Sequence, residues 1–277
     1  MPAQPLSDFS RLCLHTITTR PWSIEEATQR YAAAGLKAVT VWRQWLEGRD
    51  PGKVGEALRA AEIEVVSLCR GGFFPAIDAA GRRRAIDENL KVIDEAEALG
   101  APLVVLVCGA APGQPLDESR RQIADGIAAV LDRAQAAHIR LGIEPLHPMY
   151  ADSRSAINTL RQANDMCDRV DCPLVGAVVD VYHVWWDPDL ESEIRRCGRA
   201  GRIFAFHVSD WRTPTEDLLN DRGLMGEGCI DVPRIRGWVE ESGFSGFIEV
   251  EIFSNRYWAM DQAEFLKKIK DAYLKHT

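Results

Sequence analysis

Residues 175–186 read VGAVVDVYHVWW, and this stretch decides the fold. Its first five residues are valines with only glycine and alanine between them. That composition suits a strand buried on both faces, as in a parallel sheet. The run stops at a carboxylate, Asp180, and an imidazole, His183, follows three residues later. Barrels and doubly wound sheets keep their chemistry at the carboxyl ends of such strands.

Working outward, the same rhythm repeats. Strands are expected at 12–18, 37–43, 64–69, 102–108, 140–144, 175–180, 203–208 and 246–252. Between them lie helical patterns: SIEEATQRYAAAG, capped by Ser23 and stopped by Gly35, then 51–61, 82–99, 117–137, 153–170, 188–200, 232–242 and 262–275. A long loop, 209–231, interrupts only the seventh unit. Eight alternating strand–helix units without a linker call for a parallel sheet with helical crossovers, and eight such units close on themselves. The expectation is α/β, one (β/α)8 TIM barrel spanning 1–277. A single barrel takes roughly 250 residues, and the chain has 277.

Lys plus Arg number 33 and Asp plus Glu 41, a formal net charge of −8. That balance offers no footprint for a phosphate backbone, so nucleic acid is not an expected partner. The seven cysteines are scattered with no CxxC pair, which excludes a disulfide framework and a structural zinc knuckle. No apolar run approaches a membrane span and the N-terminus has no signal-like core, so a soluble cytoplasmic protein is expected.

Side chains alternate between a barrel's interior and its helix layer. Bulky apolar residues mark the helix side: Leu141 and Ile143, Ala177 and Val179, Phe204 and Phe206, Ile248 and Val250. The opposite parity ends in Glu144, Asp180, His207 and Glu251, which therefore face one volume at the barrel mouth. Three carboxylates sharing such a site need a counter-ion. A divalent cation held by three oxygens and one imidazole answers that need; Mn²⁺ suits the set best, with Mg²⁺ or Co²⁺ as alternatives.

LGIEPL, VVDVYH, FHVSDW, GEGCID and FIEVEIF resemble the sugar isomerase/epimerase branch of the xylose-isomerase-like TIM barrels, the group of D-tagatose 3-epimerase, hydroxypyruvate isomerase and 2-keto-myo-inositol dehydratase. The resemblance is densest from Leu141 onward. It implies that Glu144, Asp180, His207 and Glu251 ligate the metal, that Glu144 and Glu251 double as acid and base, and that His183 contacts a substrate oxygen. It implies an isomerase or epimerase of a sugar or keto-sugar, working by proton abstraction next to a carbonyl through a metal-bound enediolate. A β-eliminating lyase or dehydratase on a keto-sugar or 3-keto-glycoside shares that chemistry, and a non-catalytic sugar-binding barrel is the reading outside enzymology. Dimers are common in the group, so a homo-oligomer is possible.

Other residues have two readings. Trp42, Trp185, Trp186, Trp211 and Trp258 are either a stacking wall for the sugar or loop packing, with Trp42 the best placed by parity. Asp210 orients a ligand from behind, or caps a loop. Arg212 and Arg222 reach the substrate, or are solvated. His15 and His147, near strand ends, are candidates for substrate contact, whereas His138 and His276 look structural. Glu249 shares the parity of Glu251 and, if buried, needs a partner that the sequence does not name. The abasic-site endonucleases of the same superfamily use an Asp-Arg-His in the loop after strand seven. Here the loop reads Asp221-Arg222-Gly223, which argues against that activity. No P-loop or dinucleotide fingerprint is present, which favours a substrate without phosphate.

Overall fold

The computed structural model describes residues 4–277; residues 1–3 of the expected domain lie outside the described residues. Eight parallel strands close into a barrel, each paired with its neighbours in sequence and the last with the first. They are β1 (Leu12–His15), β2 (Ala38–Trp42), β3 (Glu64–Gly72), β4 (Leu103–Val107), β5 (Arg140–Glu144), β6 (Val175–Asp180), β7 (Ile203–Val208) and β8 (Ile248–Val250). Helices α1 (Ile24–Ala33), α2 (Pro51–Ala60), α3 (Ala79–Leu99), α4 (Leu116–Ala136), α5 (Leu160–Val170), α6 (Leu190–Arg199), α7 (Val232–Glu241) and α8 (Gln262–His276) alternate with them. This is the expected TIM barrel. No described helix is long and apolar enough to cross a membrane, and all seven cysteines are free.

Local chemistry sets the helix ends. Ser23 Oγ accepts from the Glu26 N–H while the Glu26 carboxylate accepts from the Ser23 N–H, a closed capping box at α1. Gly100, at φ 86°, takes the left-handed turn that ends α3. Leu12, Leu14, Val39, Val41, Ile143, Val179, Phe206 and Val250 are buried between barrel and helices. Each such side chain contributes about 1.5–3 kcal/mol by leaving water.

Two departures from the sequence reading matter for the site. The fifth helix was expected from residue 153, yet it begins at Leu160 with Thr159 as its cap. Short polar side chains take the backbone instead: Ser155 Oγ accepts from the Ile157 N–H, and Asn158 Nδ2 donates to the Leu146 and Ser155 carbonyls. The freed segment pairs with the end of the fourth unit, Gly109 N–H donating to the Arg154 carbonyl and Ala156 N–H to the Gly109 carbonyl, both at 2.9 Å. Strand β3 also runs three residues past the expected end. Cys69 pairs with Val105 and Gly71 with Leu106, so Arg70 is the extra residue of a bulge, a device that re-aims a side chain.

Candidate active site

The expected ligands arrive from neighbouring strand ends. Glu144 ends β5, and Asp180 ends β6, in register with His207 on β7. Glu251 directly follows β8 and stays in the ladder, its N–H donating to the Val208 carbonyl at 3.1 Å. All four residues are buried, and one ligand atom from each lies within 4.8 Å of the others. His207 Nδ1 faces Glu144 Oε1 at 2.9 Å without the alignment of a hydrogen bond. Both ring nitrogens of His207 and Glu144 Oε1 are buried with no hydrogen-bond partner. Each such orphan costs about 1–3 kcal/mol. Three carboxylates and one imidazole converging this closely, with Glu144 Oε1 and the His207 ring left without partners, fit a hard divalent cation.

A polar layer supports these groups from below. Glu249 accepts from Thr40 Oγ1 at 2.6 Å and lies 3.2 Å from His15 Nε2 and 3.7 Å from His207 Nε2. It is thus the carboxylate behind His207, the place expected of Asp210. Asp210 is instead a loop organiser, one oxygen accepting from the Trp211 and Ile230 N–H groups and the other from those of Gly226 and Gly228, at 2.8–2.9 Å. Four amides consume both oxygens, so Asp210 has none left for a ligand.

His15 belongs to the same layer rather than to the substrate surface. Its Nδ1 stands 3.0 Å from Glu251 Oε1, so the ring bridges Glu249 and Glu251. Burial acts against a charged ring here, but the two glutamates outweigh it and push His15 up to about 9. Nδ1 then donates to Glu251. The Trp42 indole N–H, 3.1 Å from the same nitrogen, bonds to it only when the ring is neutral.

Arg222 is buried in the site floor rather than solvated. Its Nη1 donates to Glu251 Oε2 at 2.6 Å and Asp180 Oδ2 at 3.2 Å, and Nη2 lies 3.1 Å from His183 Nε2. Tyr182 and Phe253 cover the guanidinium, 4.3 and 5.0 Å from ring centre to Cζ. The backbone is held by a two-residue ribbon, Arg222–Gly223 against Asp210–Trp211. Burial and Arg222 together hold His183 neutral, well below its usual pKa, and its one acceptor nitrogen serves either Arg222 at Nε2 or the His147 N–H, 3.3 Å from Nδ1. Burial opposes ionisation of Glu251, yet Arg222 and His15 keep it well below the usual carboxylate range. Asp180 differs. Burial, with Glu251 and Glu144 beside it, raises Asp180 to about 7 despite Arg222. Even with one arginine in place, the cluster lacks positive charge.

Above this floor opens a cavity of about 230 Å³ whose lining includes Glu144, His183, Arg222 and Glu251 from the floor, with Trp42, Phe253, Tyr150, Arg70 and Arg154 around them. The aromatic wall is therefore Trp42 with Phe253 and Tyr150. The other four candidate tryptophans lie outside it. Trp211 stacks on Tyr182 at 4.8 Å, His147 packs between Trp186 and Trp211, and Trp185 lies against Trp211. The Trp258 indole donates to the Ile17 carbonyl. Arg212 also lies outside the cavity, paired with Asp221. The sequence reading passed over Phe253, Arg70, Tyr150 and Arg154. The first two had a usable signal, since Arg70 follows the third strand and Phe253 follows the eighth. Arg154 was masked by its placement inside a helix.

Comparison with known proteins accords with this fold. The family model described as xylose isomerase-like TIM barrel matches residues 28–269. A crystal structure of a protein from Sinorhizobium meliloti 1021 superposes with a TM-score of 0.93 at 45% identity, covering 96% of this chain and 98% of that one. The inosose isomerase of Bacillus velezensis is 26% identical over 237 residues, 82% of this chain and 81% of its own. The structure of IOLI protein with a zinc atom bound shares the fold at TM-score 0.83 and 22% identity, over 96% of this chain and 99% of that chain.

Proposed function

The chain belongs to the xylose isomerase-like TIM barrel family, and from that premise we propose that it is a metal-dependent isomerase or epimerase of a sugar or keto-sugar. The observation that carries the reading is the convergence of Glu144, Asp180, His207 and Glu251 within 4.8 Å, with Glu144 and Glu251 opening onto an aromatic-walled cavity. These residues would hold one divalent cation, Mn²⁺ by the hardness of the oxygen-rich set. Bound there, the cation supplies Lewis acidity to a carbonyl and its neighbouring hydroxyl.

The protein's own groups divide the remaining work. Glu251, held ionised between His15 and Arg222, takes the proton from the carbon next to the carbonyl. Glu144, from a strand three places away around the ring, reaches the substrate from another side and returns a proton there. Delivery from a protonated Glu144 to the opposite face of the same carbon epimerises it. Delivery to the old carbonyl carbon, with the neighbouring hydroxyl's proton passing to the old carbonyl oxygen, moves the carbonyl. Proton exchange with solvent then resets both carboxyl groups. Arg222 and neutral His183 face the substrate oxygens, while Trp42 and Phe253 shield the site from water. The proposal extends to one domain acting in the cytoplasm, where the free thiols stay reduced.

The test is deuterium exchange. Stripped protein, with and without added Mn²⁺, is incubated in D₂O with free ketoses, sugar phosphates and 3-keto-glycosides and followed by NMR. Metal-dependent exchange beside the carbonyl, with a new stereoisomer or carbonyl position, supports the proposal. Exchange with loss of the β-substituent moves the enzyme to the lyases. Absence of both exchange and bound metal would overturn it.

A further inference from the structure

Two guanidinium groups in the cavity wall have no carboxylate. Among the described residues, neither Arg70 nor Arg154 makes an ion pair or a side-chain hydrogen bond; each lies over an aromatic ring, Arg70 Cζ 4.4 Å from the Phe73 centre and Arg154 Cζ 5.5 Å from that of Tyr150. The contrast with their neighbours is sharp. Arg43 is taken by Glu95 and Glu88, and Arg222 by Asp180 and Glu251. A chain with 41 acidic and 33 basic residues has acids to spare, yet two arginines that line the same 230 Å³ cavity are left unpaired. They stand close enough that burial and the charge of Arg154 together lower the pKa of Arg70. Like charges held together in a wall are costly unless a ligand of opposite sign offsets them.

The backbone is built to put them there. Arg70 is the extra residue of the β3 bulge. Behind it, Gly72 at φ 105° lets β3 approach so closely that a Cβ would overlap the Val107 carbonyl. Arg154 is pinned through its carbonyl to Gly109 in the segment that declines to be helical. Both side chains are half-buried, nearer to solvent than the buried floor residues.

We propose that Arg70 and Arg154 form an oxyanion subsite, so that the sugar carries a phosphate or carboxylate group at the end remote from its reacting carbonyl. Forked guanidinium donors match both groups. The inference rests on the sugar reading above, and its phosphate arm alone runs against the expectation of a substrate without phosphate.

The test compares matched probes by calorimetry on the full-length protein: D-ribulose 5-phosphate against D-ribulose for the phosphate arm, and D-galacturonate against D-galactose for the carboxylate arm. The charged member of one pair should bind at least roughly tenfold tighter. That advantage should vanish in Arg70→Gln and Arg154→Gln and return in part in Arg70→Lys and Arg154→Lys. The arm that shows it identifies the anion. Equal binding of charged and neutral members by the unaltered protein, which needs no variant to fold, overturns the proposal. So does an advantage that survives both glutamine substitutions. Binding is read without turnover, so anion preference without deuterium exchange would fell the isomerase reading alone, and exchange without anion preference would fell the subsite alone.

Discussion

Glu249 faces His207 directly across the ladder between the last two strands, with Glu249 Oε2 3.7 Å from His207 Nε2. The carboxylate lies behind the ring and leaves Nδ1 toward the ligand cluster. At that distance the carboxylate makes no hydrogen bond to the ring, but its charge raises the ring's basicity. Glu249→Gln keeps the volume and an oxygen for Thr40 but removes the charge. Cation affinity should fall about 10–100-fold by calorimetric titration. Unchanged affinity would reduce Glu249 to a packing residue.

Cation binding should itself stabilise the fold, because the ligand atoms converge only in the native state. At a hundred times the dissociation constant the gain is about 2.7 kcal/mol. Adding Mn²⁺ to stripped protein should raise the melting temperature. In Glu144→Gln that rise should shrink together with deuterium exchange. A full rise in the variant would show that the ion binds elsewhere.

Arg222 competes with a cation for the carboxylates of Asp180 and Glu251. Arg222→Met removes a buried charge and leaves its partners unpaired, so the stripped protein should lose about 3–5 kcal/mol. With the competing charge gone, cation affinity should rise while exchange on any sugar falls. Parallel melts with and without Mn²⁺ would show the two effects moving in opposite directions. If both fell together, Arg222 would be helping to hold the ion.

Asp210 has a different signature. Asp210→Ala strips the acceptor from four backbone N–H groups, and the loss should reach at least about 3 kcal/mol in urea unfolding. Cation affinity of the folded variant should change far less than in Glu249→Gln. The reverse ranking would restore Asp210 to the ligand's support.

The barrel was legible because periodicity and burial are local: eight apolar runs, each followed by a helical pattern, leave few topologies. The convergence of Glu144, Asp180, His207 and Glu251 was legible for the same reason, since parity along a strand fixes which way a terminal residue faces. What escaped depends on contacts distant in sequence. Asp210, two residues past β7, and Glu249, inside β8, carry the same charge, and only the folded loop shows which of them meets backbone amides. Arg222 looks like any loop arginine until the ribbon with Asp210–Trp211 turns it inward. Arg154 was hidden because SRSAINT follows helical spacing well enough, whereas Ser155, Asn158 and Thr159 spend their side chains on the backbone instead.

The bridge that His15 makes between Glu249 and Glu251 also bears on folding kinetics. His15 and Glu249 are 234 positions apart, and they meet only when the first strand docks against the eighth. Contacts of such separation carry the largest loop-closure entropy in the chain. Half the acid–base machinery therefore hangs on the seam where the cylinder shuts. In refolding experiments, high-affinity ion capture should mature with the slowest phase, after helix signal has recovered, and so report completion of the native topology.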